Sequence, residues 1–229
     1  MAARLKAAAA ALLALACAAT PTPDPEPLAA PGFTAERLAS QRLAVLPLAA
    51  LLLPQGTTPG DSLAAALSRR VDGGLVTAVV RTGVSGSAIG PADLAPVLTA
   101  LGPDAVRSAA SAAGATGPDG RLSAPAAEEL AALAEAAGAD LLLVPRSLVF
   151  VPAGPLRFEA RLTAALLDPG AGRVVWRATI RAVPSTPPPG GAANLAAAAM
   201  ESSADVAIQE LVLRLSRLGE EPEEPNGGP

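Results

Sequence analysis

The chain has 229 residues, with 17 Lys and Arg against 21 Asp and Glu, a net charge of −4 and no histidine. That balance offers no basic field for nucleic acid, and the lack of His with a single Cys excludes His/Cys zinc or iron centres. One cysteine also excludes an internal disulfide, and three Phe, one Trp and no Tyr leave Leu, Val and Ala to build the core.

Arg4 and Lys6 precede an unbroken Ala/Leu run, Ala7 to Ala16, which closes at Cys17. A basic start, a short apolar stretch and small residues at its end describe an export signal. The run is shorter than the roughly 20 residues a bilayer span requires, so residues 1–16 are expected to form a removable signal peptide. Two cleavage readings stand side by side. Ala14-Leu15-Ala16-Cys17 resembles the permissive form of the bacterial lipobox, which implies diacylglycerol and palmitate on Cys17. Ala14 and Ala16 also fit ordinary signal peptidase, which leaves Cys17 as a plain first residue. The lone thiol favours acylation, because an unpaired cysteine on an exported chain is chemically exposed. Ala18, not Asp, follows the cysteine; by resemblance to enteric lipoproteins this implies the outer membrane, with a soluble periplasmic or secreted form as the alternative.

Residues 17–39 then read as the lipidated N-terminus and a Pro-rich tether, carrying Pro21, Pro23, Pro25, Pro27 and Pro31. Such composition gives an extended, semi-rigid spacer. A single α+β domain is expected over 40–219. Arg42 to Leu48 is a compact apolar strand. A helix follows from Ser62 to Asp72, with Leu63, Ala66, Leu67 and Val71 on one face, and Gly73-Gly74 should stop it. Leu75 to Arg81 then reads as a second strand. Thr82 to Arg121 is rich in Gly, Ala, Ser and Pro, with weak helical patches at Ala92–Leu101 and Asp104–Ala113; it reads as poorly anchored helices and loops. A clearer helix, Ala126 to Ala137, ends at Gly138.

Asp140 to Val151 is a long apolar strand, and Pro152 to Pro155 turns the chain. Leu156 to Leu167 alternates, placing Phe158, Ala160, Leu162 and Leu166 on one face. Asp168-Pro169-Gly170-Ala171-Gly172 is a turn. Arg173 to Val183 alternates again, with Val174, Trp176, Ala178 and Ile180 inward. The pair reads as an antiparallel hairpin with one wet face. After a Pro/Gly linker, Ala204, Ile208, Leu211, Leu215 and Leu218 mark one stripe of a long closing helix. Residues 220–229 read as a disordered acidic tail. The sum is a small mixed sheet of about five strands, with C-terminal antiparallel hairpins, packed helices and a long C-terminal helix.

"RLAVLPL" after a Pro-rich tether, "GADLLLVPR" at a helix-to-strand junction, the hairpin "LTAALLDPGAGRVVWRATI" and the closing "ADVAIQELVLRL" resemble a group of bacterial envelope lipoproteins. The group includes the curli-secretion lipoprotein and the lipoprotein activator of penicillin-binding proteins. Its shared domain is similar to the N-terminal domain of the Tol-Pal translocation protein. The resemblance spans 42–81 and 138–218. It implies a mixed sheet and a non-enzymatic envelope role, and it transfers no catalytic residue.

Gly60-Asp61-Ser62-Leu63 spells the motif of GDSL-type serine hydrolases. A nucleophilic serine needs a base to take its proton, and this chain offers neither a His nor any Lys beyond Lys6. Helix capping by Asp61 or Ser62 is the simpler reading. Thr116 to Gly120 carries one acid and reads as a turn, not a calcium loop. No cofactor, metal or nucleic acid is expected. A candidate interaction face lies on the outer side of the hairpin, at Arg157, Arg161, Arg173, Arg177 and Arg181, because guanidinium groups suit carboxylate or phosphate partners; an ordinary charged sheet face is the alternative. The expected role is an exported, membrane-tethered, non-enzymatic lipoprotein that binds or positions another envelope protein. A secretion-channel subunit, a transporter auxiliary lipoprotein and a secreted GDSL-like hydrolase are the competing readings.

Overall fold

A computed structural model describes residues 27–54, 61–102, 104–184 and 195–220. In chain order the elements are β1 (Leu28–Ala29), α1 (Ala35–Ala39), β2 (Arg42–Val45), β3 (Leu51–Leu52), α2 (Asp61–Thr82), β4 (Ser87–Ile89), α3 (Pro91–Leu101), α4 (Ala105–Gly114), α5 (Ala124–Ala137), β5 (Leu141–Gly154), β6 (Arg157–Asp168), β7 (Arg173–Ala182) and α6 (Leu195–Ser216). The fold is α+β, built on one seven-stranded mixed sheet. Its order is β1-β7-β6-β5-β2-β4, with β3 beside the far half of β5. β2 runs parallel to both β4 and β5, and β5, β6, β7 and β1 are successively antiparallel. The expected mixed sheet and long closing helix are therefore present, with more strands than five because two of the seven have only two residues.

Helices cover both faces. On one side α2 and α6 set Leu67, Val71, Leu75, Val79, Ile208 and Leu211 against β5, β6 and β7. On the other, α3, α4 and α5 place Leu94, Ala109, Ala113, Leu130 and Leu133 over Leu142, Val144, Leu167 and Val174. The stripe on the last helix is buried as its spacing requires, from Ala204 to Leu218.

Several expectations are corrected. Gly73-Gly74 does not end a helix, and Leu75–Arg81 is not a strand: α2 continues unbroken to Thr82. Leu67, Val71, Leu75 and Val79 recur every four residues, and that helical face outweighs the propensity cost of two glycines. Gly74 serves a different purpose, since a Cβ there would lie 2.9 Å from Ile208 Cδ1. It lets α2 and α6 approach closely. At the same crossing Arg70 donates to Asp205 at 2.8 and 2.7 Å and to Glu201 at 3.2 Å. These groups are partly exposed, so they set register more than stability.

The segment Thr82 to Arg121 is well anchored. Its two helices follow the sequence patches, and Leu94, Ala109 and Ala113 are fully buried. The missed strand β4 is only three residues long, too short for periodicity to reveal. The domain also starts before residue 40. Leu28 and Ala29 pair with Arg177 and Trp176, while Phe33 and Leu38 are buried in the core, so this part of the expected tether belongs to the fold. The hairpin lacks a uniformly wet face as well. A bulge at Leu166/Leu167 pairs Leu166 with Trp176 and Leu167 with Val174. It reverses the alternation, sending Val174 to the second core and Val175 to the first.

Asp72 sits at the edge of the first core and its Oδ1 accepts a 2.9 Å bond from the Leu48 N–H. Burial holds its carboxyl above the ordinary range, against the opposing pull of that N–H. A carboxyl with a raised folded-state pKa loses stability as pH rises from the unfolded value through the folded one. Asp72→Asn, which keeps an acceptor for Leu48, is therefore expected to raise stability at pH 7, with the gap closing as pH falls through the carboxylate range in urea titrations. The two glycines of α2 should also separate. Nothing lies within 4 Å of a Cβ at Gly73, so Gly73→Ala should stabilise by about 0.5–1 kcal/mol, whereas Gly74→Ala should gain less because it meets Ile208.

Candidate functional site

The five hairpin arginines do not form one open surface. Arg157 is exposed at the start of β6, where Nη2 donates to the Pro184 carbonyl at 3.2 Å. Arg173 lies before the bulge, beside the turn, and forms an antiparallel bridge with Arg121. The reversed alternation separates it from the face that Arg177 shares. The structure brings Arg161, Arg177 and Arg181 together on that face, with Thr163 and Thr179 between them.

The register explains the grouping. Arg161 is directly opposite Arg181, Thr163 opposite Thr179, and Ala165 opposite Arg177. Two guanidinium groups in one cross-strand pair repel. Glu159 offsets this by accepting from Arg161 Nε at 2.6 Å. The next pair is joined by a 3.0 Å hydroxyl contact between Thr163 and Thr179. Arg177, only 6% exposed, is covered by the end of α4: its Nη1 donates to the Thr116 Oγ1 at 2.8 Å and to the Thr116 carbonyl at 3.2 Å.

Sequence reasoning missed Arg146. It occupies the β5 bulge between Pro145 and Ser147, which face Ala164 and Thr163. Pro145 lacks a ladder N–H, so a bulge is where a strand can hold it. The bulge turns Arg146 toward α4, where Nε donates to the Ala110 carbonyl at 2.8 Å. Gly114 makes room, since a Cβ there would overlap the guanidinium. Burial, and then the nearby charge of Arg177, lowers the Arg146 pKa. Both guanidinium groups lie near the C-terminal end of α4, Arg146 against Gly114 and Arg177 on Thr116 just beyond it, where the negative end of the helix dipole favours cations. The Pro145-Arg146 pair inside an apolar strand was the available sequence signal.

The arrangement can hold oxyanions and anchor a helix. Among the described residues no cluster of three or more His, Cys, Asp or Glu could hold a metal ion, and no helix is long and apolar enough to cross a membrane. Ser62 is exposed in the first turn of α2. Cys17 lies outside the described residues. A large open cleft, about 690 Å³, lies between α4 and α5, lined mainly by alanine and serine with Asp104 and Glu129; it is apart from the arginine strip.

No protein-family model matches the chain, and no curated protein matches it. The solved structures with weak similarity include the following three. A point variant of the PelC dodecamer from Paraburkholderia phytofirmans has 16% identity and a TM-score of 0.40, covering 78% of this chain and 90% of that one. The PelC dodecamer in another crystal form has 15% identity and 0.39, covering 84% and 96%. The hypothetical protein CT253 from Chlamydia trachomatis has 13% identity and 0.43, covering 77% and 96%.

Burial divides the arginines by role. Arg177→Ala removes a buried charged donor from two acceptors on Thr116 and should cost about 1–3 kcal/mol in urea unfolding. Arg157→Ala at the exposed end should stay within about 0.5 kcal/mol.

Proposed function

We propose that the chain is an exported lipoprotein, anchored through Cys17 at the periplasmic face of the outer membrane, whose α+β domain binds or positions another envelope protein without catalysing a reaction. The observation that carries this reading is the placement of the only thiol. Cys17 closes the Ala7–Ala16 apolar run behind Arg4 and Lys6, and a proline-rich stretch separates it from Leu28, the first residue of β1. A lipid there would tether a domain whose first described strand starts at Leu28.

The chemistry of the chain supports a binding role. The exposed Ser62 hydroxyl has no histidine anywhere in the sequence to take its proton. The arginine strip on β6 and β7 suits recognition of carboxylate or phosphate groups at a surface.

Radiolabelled palmitate incorporation tests the anchor. The wild type should take up label and fractionate with the outer membrane, and Cys17→Ser should lose both properties. An unlabelled wild type, or an intact chain in the cytosol with residues 1–16 attached, would overturn the proposal. Crosslinking from the anchored protein should then capture a discrete envelope partner.

A further inference from the structure

The hairpin between β5 and β6 closes in a turn that strains its backbone. Gly154 pairs with Arg157, which leaves Pro155 and Leu156 as the two turn residues. Among the described residues, Leu156 is the one non-glycine position with positive φ, at +53°. Proline first and positive φ second is the type II pattern, in which glycine or asparagine normally takes the second place. A leucine there crowds its Cβ against its own backbone. Burial recovers little of that cost, since Leu156 is 47% exposed. A strained position that displays an apolar side chain points to a use outside the fold.

The neighbouring residues share this character. Pro152, Ala153, Gly154, Pro155, Leu156 and Arg157 are all exposed, and a bulge at Pro152/Gly154 adds a residue to the tip. Five of these six have no polar side-chain atom, and the two prolines have no N–H to leave unpaired. Val183, another exposed apolar residue, follows Ala182, which is opposite Ala160 near the start of β6. Behind the tip the hairpin is braced. Ser203 Oγ on α6 donates to the Phe158 carbonyl at 2.8 Å, and Arg157 Nη2 to the Pro184 carbonyl at 3.2 Å.

We infer that this tip is a wedge for a lipid surface: Pro155 and Leu156 enter the interfacial layer of a bilayer, and Arg157 meets anionic headgroups. A bilayer penalises unsatisfied backbone donors, and this tip lacks two of them. An arginine next to an apolar segment keeps its charge at headgroup level while its stem lies on apolar atoms. Protein interfaces carry about one hydrogen bond per 100–200 Å², whereas the side chains of this tip offer donors only at Arg157.

The direction of the chain agrees. β1 is antiparallel to β7, with Ala29 opposite Trp176 and Leu28 opposite Arg177. Traced backwards, β1 therefore leaves the sheet toward Val183, the end that bears the tip. Arg177 is level with Ala165. Leu156 stands nine residues before Ala165, about 31 Å along the strand at about 3.4 Å per residue. Residues 17–28 can span at most about 40 Å. A lipid on Cys17 can thus lie level with the tip. That coincidence depends on the acylation proposed above; the chemistry of the turn does not.

The test couples the full chain through Cys17, its only thiol, to a maleimide lipid in vesicles of phosphatidylcholine with about 30% phosphatidylglycerol. Natural acylation is then not needed, and residues 1–16 are present in every variant, so differences between variants report the tip. Amide exchange at Gly154, Leu156 and Arg157 should slow at least about threefold on these vesicles relative to the free chain, and less on phosphatidylcholine alone. Leu156→Asn should abolish the slowing while raising the urea midpoint, because asparagine accepts a positive φ. Arg157→Gln should remove the preference for anionic vesicles. Val80→Asn should leave the slowing unchanged: Val80 is 59% exposed on α2, whose end leads to β4 beside Arg42, at the opposite end of the sheet. Unchanged exchange on vesicles, equal slowing on both vesicle types, slowing that survives Leu156→Asn, or a urea midpoint lowered by Leu156→Asn would overturn the inference. So would slowing that grows with the concentration of the free chain, which would assign the tip to a second copy. Palmitate labelling of the wild type is read separately, so failure of the anchor and failure of the wedge are told apart.

Discussion

Leu141 to Val144 form four consecutive residues of β5 with no exposed surface. Side chains on a strand alternate between faces, so a run of this kind is dry only if both sides of the sheet are covered. Everything else in the molecule answers that constraint. α2 and α6 shield Leu141 and Leu143, and α3, α4 and α5 shield Leu142 and Val144. The parallel pairing of β2 with β5 follows, because a crossover through helices is how neighbouring parallel strands are joined. Arg42 and Asp140 close the entrance to that pair, Arg42 N–H donating to the Asp140 carboxylate at 2.8 Å and Asp140 N–H to the Arg42 carbonyl at 2.9 Å.

A core of leucine, valine and alanine gains its burial by close approach more than by large side chains. Gly74 under Ile208 brings the two long helices together, and Gly114 against Arg146 brings α4 down on the sheet. At Gly120 the backbone has φ of +69°, and a Cβ would lie 2.5 Å from the Val174 carbonyl, so both conformation and space require glycine. Residues that punctuate a sequence as loop signals are here packing devices between elements.

The arginine strip draws its character from the same geometry. Where α4 and α5 cover the sheet, Arg146 and Arg177 are drawn in and spend their donors on the carbonyls of Ala110 and Thr116. Beyond that cover, Arg157 and Arg181 remain exposed. One face of the sheet thus changes from helix anchor to surface along its length, which gives the domain both rigidity and a charged, exposed area.

The sequence by itself determined the elements whose periodicity is long and regular: the closing helix, the helix ending at Gly138, the β5–β7 strands and their turn at Asp168. It also contains the order of apolar run, lone cysteine and alternating prolines, since those are facts of composition. Tertiary structure decided the rest. It carried α2 through Gly73-Gly74, because a four-residue apolar repeat had a partner helix to bury against. It enrolled Phe33 and Leu38 in the core, and it formed β4 from three residues through parallel pairing with β2. It also divided the arginines, through a bulge that no alternation pattern announces and a helix end that supplied carbonyls. Local pattern proposes which way a side chain points; bulges and chain segments distant in sequence decide where it points and what it meets.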